Sequence, residues 1–116
     1  MLEVLSVQIE LLYFQGCPNA QAFVPRLREL LAEAGIDEAV RLRRVESMQE
    51  AERERFLGSP TLRVNGRDVD PGAAEREDFG LRCRIYRSAS GMAGAPPEEW
   101  VRRALRSAME APTSDG

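Results

Sequence analysis

The chain has 116 residues, of which 43% are hydrophobic and 30% charged, values that suit one domain with one modest core. Its net charge of −3 argues against a general nucleic-acid surface, because phosphate binding rewards a basic excess. All 16 basic residues are Arg, and without Lys or His the chain can build no Schiff-base lysine, no phosphate-loop lysine, no Cys–His or Ser–His–Asp arrangement and no histidine metal site.

The first predicted element is a buried strand over residues 7–14, with alternation through Ile9, Leu11 and Tyr13. It runs into Gly16-Cys17-Pro18-Asn19, and a helix follows from about Asn19 to Ala34. Phe23, Leu27, Leu30, Leu31 and Ala34 share one face of that helix, and Gly35 is placed to cap its C-terminal end. Val40, Leu42 and Val45 mark a short second strand. Ser47 and Glu50 form a capping box opening a mostly charged helix that reaches about Phe56. Asn65-Gly66 lies between two strand-like runs, Thr61 to Val64 and Arg67 to Val69, which is a strong two-residue hairpin signal. Residues 71–95 read as an extended loop or insertion, in which Phe79, Leu81, Cys83 and Ile85 alternate with Gly80, Arg82 and Arg84. Pro96-Pro97-Glu98-Glu99 opens a last helix whose apolar stripe is Trp100, Val101, Ala104, Leu105, Ala108 and Met109. Residues 111–116 read as a frayed tail, and with neither repeat nor linker the whole of 1–116 is expected to be one domain.

A cysteine at a helix start sits beside unpaired backbone N–H groups and the positive end of the helix dipole, and both favour the thiolate. Cys17 is therefore the expected centre of any chemistry. No run approaches the ~18 apolar residues of a membrane span. Met1-Leu2-Glu3 lacks the basic start of a secretory signal, so a cytoplasmic, reducing setting is expected.

The predicted order is β-α-β-α-β-β-α, with Cys17 at the first strand–helix junction. That order resembles the thioredoxin and glutaredoxin superfamily, which implies an α/β fold with a central four-stranded mixed sheet flanked by helices. Cys17-Pro18-Asn19-Ala20 stands where that family has C-x-x-C. Pro25 lies where the family's helix-kinking proline does, and Ser59-Pro60-Thr61 looks like its cis-proline segment. The motifs G-C-P-N, L-G-S-P-T-x-R-V-N-G-R-D-V and L-x-C-R-I-Y also resemble a bacterial thioredoxin-like group labelled through association with alkylmercury lyase.

One departure matters: Ala20 replaces the second motif cysteine, so no local C-x-x-C disulfide can close. The resemblance then implies monothiol chemistry at Cys17, through a mixed disulfide with a protein or a low-molecular-weight thiol, with Cys83 as a candidate resolving thiol. The alternation of Cys83 with Phe79, Leu81 and Ile85 favours instead a small core residue. Pro18, Asn19, Ser59, Pro60 and Thr61 are the expected substrate-binding residues, with the backbone of Ser59 pairing with an incoming strand. Arg82, Arg84 and Arg87 read first as a solvated face; near Cys17 they would favour its thiolate and hold an anionic thiol such as glutathione. No cofactor, no resident metal site, no nucleic acid and no membrane are expected as partners, and the oligomeric state is left open. The alternative function is a non-catalytic module that holds a peptide, or a soft metal such as mercury between Cys17 and Cys83.

Overall fold

A computed structural model gives the structure of the protein and describes residues 7–110. The expected frayed tail at 111–116 lies outside the described residues. The elements are β1 (Ile9–Tyr13), α1 (Pro18–Glu33), β2 (Val40–Arg44), α2 (Met48–Arg53), β3 (Thr61–Val64), β4 (Arg67–Asp68), a single 3₁₀ turn at Ala73–Glu75, β5 (Tyr86–Ser88), β6 (Gly91–Ala93) and α3 (Glu98–Glu110). The fold is mixed α/β. One four-stranded sheet has the order β2-β1-β3-β4, with β1 parallel to β2 and antiparallel to β3, and β3 antiparallel to β4.

The sheet sorts the side chains of β1 by parity. Ile9 and Leu11 point to one face with Leu62 and Val64, and meet Phe23, Leu27, Leu30 and Leu31 of α1 and Val101 and Leu105 of α3. Leu12 points to the other face and packs with Val45, Ala51 and Phe56 around α2. This alternation is the period-2 rule for a strand covered on both faces. β1 is central, so its C-terminal end, and the Cys17 junction after it, is framed by both layers.

Local chemistry fixes the ends. Ser47 Oγ accepts the Glu50 N–H at 3.0 Å, while the Glu50 carboxylate takes the Glu46 N–H at 2.9 Å, one residue earlier than the reciprocal pairing of a standard capping box. α2 is shorter than expected because the chain leaves the helix at Glu54 and Arg55 adopts φ 56°, which turns Phe56 into the second core cluster. The Asn65-Gly66 hairpin forms as expected, with both residues at positive φ, and Asn65 Oδ1 accepts the Gln8 N–H at 2.8 Å. Pro25 lies inside α1, and Gly35 follows the cap residue Ala34 at φ 75°.

The segment 71–95 contains more structure than expected. β5 and β6 form a separate two-stranded hairpin, and residues 80–84 run as a strap alongside 56–59. Among the described residues no helix is long and apolar enough to cross a membrane.

Candidate thiol site

Cys17 is the residue immediately before α1, with φ −74° and ψ 110°. Gly16 at φ 87° makes the turn off β1, and the Cys17 N–H donates to the Phe14 carbonyl at 3.3 Å. Pro18 starts the helix, where its missing N–H costs nothing. The thiol does not cap the helix. Its Sγ–H faces the Ser59 carbonyl at 3.8 Å, and the residue is 1% exposed.

Ser59 is the hub of the site, and both of its backbone polar groups are occupied. Its N–H donates to the Arg82 carbonyl at 2.8 Å, and its carbonyl accepts the Arg84 N–H at 2.9 Å as well as the Cys17 thiol. Its Oγ accepts the Phe14 N–H at 3.3 Å. These bonds make an isolated parallel bridge between Ser59 and Cys83. The Ser59–Pro60 peptide is cis, as expected. Thr61 Oγ1 donates to the Gly58 carbonyl at 2.6 Å. Ser59, Pro60 and Thr61 are all buried, whereas Pro18 is exposed and Asn19 half-buried. Both cysteines thus meet at one residue, Cys17 through its sulfur and Cys83 through its backbone.

The core reading of Cys83 does not hold: its side chain is exposed, as are Leu81 and Ile85. The cause is Arg84. In an extended segment Arg84 and Cys83 point to opposite faces. Arg84 is turned inward by Asp68 at 2.8 Å, Asp70 at 3.1 Å and the Thr61 hydroxyl at 3.0 Å, so its apolar neighbours are turned outward. The reading of Arg84 as solvated is overturned with it, since the residue is 1% exposed. Burial opposes the guanidinium charge, but Tyr86, Asp68 and Asp70 outweigh it and hold the arginine above its ordinary pKa. Its Nε is buried without a hydrogen-bond partner.

Arg82 bonds the carboxylate and carbonyl of Asp78, and Arg76 also pairs with Asp78. With Arg87 these arginines and Cys83 line a surface cavity of about 440 Å³. Arg82, Arg84 and Arg87 are therefore gathered around Cys83.

Read from the sequence, Tyr86 has no role, and Asp68 and Asp70 are hairpin residues first and metal ligands only remotely, not partners of a buried cation. Tyr86 donates its hydroxyl to the Pro60 carbonyl, and burial pushes its pKa far up. The Asp68–Asp70 pair, spaced two apart where β4 ends in a bend, presents both carboxylates to Arg84. That spacing was the available signal that a buried cation would be needed. Among the described residues no group of three or more His, Cys, Asp and Glu side chains is placed to hold a metal ion. No family model, no curated protein and no solved structure matches the chain.

Proposed function

We propose that this protein is a thioredoxin-like thiol–disulfide oxidoreductase that works through Cys17 as a monothiol. The observation that carries the reading is the meeting of Cys17, at the end of the central strand and the start of α1, with the Ser59 carbonyl ahead of β3. The sheet order and strand directions, with β1 central, support the thioredoxin-like reading of the fold.

The chemistry proceeds in two balanced exchanges. The Cys17 sulfur attacks a disulfide R–S–S–R′; the Cys17–S–R bond forms, the original S–S bond breaks, and R′–S⁻ leaves with the electron pair and takes up the thiol proton. An external thiol R″–SH then attacks the sulfur of R; the R″–S–S–R bond forms, the Cys17–S–R bond breaks, and Cys17 leaves with the electron pair and takes up the proton as a thiol. Cys83, exposed and bridged through its backbone to the same Ser59, is the resolving candidate within the chain: its attack on the Cys17 sulfur would release R–SH and leave a Cys17–Cys83 disulfide, which an external thiol then reduces. A reduced low-molecular-weight thiol serves equally, and the Cys17 mixed disulfide is the common intermediate.

The test is turnover of hydroxyethyl disulfide with reduced glutathione. Cys17→Ser should lower the rate by at least about tenfold, because the attacking sulfur is removed, while Cys83→Ser should retain turnover. Retention of activity in Cys17→Ser would overturn the reading. The burial of Cys17 favours one second reading, a binding module for a peptide or a soft metal that does no exchange. Absence of turnover in the wild type would select it.

A further inference from the structure

We infer that residues 80–86 form a strap that controls access to Cys17, so that the site is closed until this segment lifts from Ser59. The inference rests on the proposal that Cys17 is the reacting sulfur. The strap and the thiol converge on one atom: the Ser59 carbonyl accepts both the Arg84 N–H, at 2.9 Å, and the Cys17 Sγ–H, at 3.8 Å. The other backbone group of Ser59, its N–H, is also consumed by the strap, through the Arg82 carbonyl. An extended peptide approaching Cys17 along this edge finds no free backbone donor or acceptor on Ser59. Main-chain pairing is what such a peptide would use for binding, so strap and ligand compete for the same two groups.

The close fit is built into the sequence. Gly58 has φ 126°, and a Cβ there would stand 2.9 Å from Arg84 Cβ and 3.0 Å from the Arg82 carbonyl. Only glycine lets the strap lie this close. Further anchors are the Gly80 N–H on the Phe56 carbonyl, the Tyr86 hydroxyl on the Pro60 carbonyl, and Arg84 on Asp68 and Asp70. Against these, the backbone pairing with Ser59 is a single bridge, not a ladder. A segment held by one bridge and a few side-chain anchors can open without the sheet opening.

The experiment measures three opening events in the intact wild-type chain under native conditions. They are alkylation of Cys17 by iodoacetamide, deuterium exchange at the Ser59 and Arg84 amides, and exchange at Leu11 and Leu62 in the central strands. The expected result is that Cys17 and the two strap amides share one opening equilibrium, at least roughly tenfold more populated than that of Leu11 and Leu62. In Tyr86→Phe, which loses only the anchor to Pro60, Cys17 alkylation and strap exchange should rise by the same factor. Reaction of Cys17 only at the frequency with which Leu11 and Leu62 open would overturn the inference. So would alkylation faster than opening at the strap amides, since the strap would then not be the cover.

The same samples, treated with glutathione disulfide, separate the two readings. Coincident opening without any Cys17 mixed disulfide leaves the strap standing and sinks the redox proposal. A mixed disulfide that forms faster than the strap amides open sinks the strap and leaves the redox proposal.

Discussion

A guanidinium that is 1% exposed must have its charge compensated in place, and Arg84 has Asp68 and Asp70 on one side and the Tyr86 ring 4.4 Å away on the other. Removing one member of such a buried set leaves the others as uncompensated charge, which costs far more than the set contributes as a whole. Arg84→Met should therefore destabilise by about 3–5 kcal/mol in chemical denaturation. The triple variant Arg84→Met, Asp68→Asn, Asp70→Asn should recover much of the loss, because no charge is then left unpaired. If the single variant costs no more than a surface ion pair, the burial of Arg84 does not survive in solution. Cys17 gives a contrasting case at the same scale. Its sulfur makes one long hydrogen bond, which a serine hydroxyl can donate to the same Ser59 carbonyl, so Cys17→Ser should change stability little beside the effect at Arg84.

Each short element depends on one or two polar contacts. α2 has six residues, too few to persist without its cap, and Ser47→Ala should cost about 1 kcal/mol by loss of the bond to the Glu50 N–H. At the β3–β4 turn Asn65 carries both a positive φ of 53° and the bond from the Gln8 N–H. Asn65→Ala should cost about 1–2 kcal/mol, and Asn65→Gly less, since glycine restores the backbone conformation but not the acceptor. Both values are read from denaturant midpoints. The same elements were legible in the sequence, because caps and turns are local chemistry and the apolar period of α1 and β1 is long enough to count. The 78–95 segment was not. Its alternation of Leu81, Cys83 and Ile85 signals extended backbone, whereas the chain bends at 81–82 and pairs only at the single bridge of Cys83 before β5. Which face turns inward was decided by a distant pair of carboxylates, a tertiary effect that alternation alone does not carry. β5 and β6 are three residues each and offered no period to detect. At the site, Cys17 stands out by its place at the strand–helix junction, whereas Ser59 and Pro60 are singled out only through the resemblance of their segment to a cis-proline segment. The use of Ser59 by the chain itself could not be read, since a single bridge leaves no trace in composition.

Across the whole molecule, helices α1 and α3 are tied by a paired contact of Arg26 with Glu98, at 2.8 Å from both Nε and Nη2. The hydrogen bonds from Arg26 hold the Glu98 carboxyl below its usual range, and those from Arg76 hold Asp78 down to about 2. A carboxylate depressed in the folded state contributes stability above its ordinary pKa, and that stability is lost as pH falls through the depressed value. Stability should therefore decline from about pH 4 towards pH 2, with the protein most stable above that window. Both acids are substantially exposed, so each contributes less than about 1 kcal/mol. Denaturation midpoints at pH 7, 4 and 2 check the trend, and Asp78→Asn should flatten its lower end. An unchanged slope in Asp78→Asn would show that Arg76 does not hold this carboxyl in solution.

The edge-to-face pairing of Tyr86 with Trp100, ring centroids 6.2 Å apart, gives the molecule an optical property. Trp100 is the chain's only tryptophan, and the chain has two tyrosines. Light absorbed by Tyr86 at this separation passes to the indole and emerges as tryptophan emission. Any movement that carries the 86–88 strand away from α3 would interrupt that transfer and restore tyrosine emission at the expense of tryptophan. The protein thus carries a native donor–acceptor pair at the C-terminal end of the 80–86 segment, and no added dye is needed to follow it.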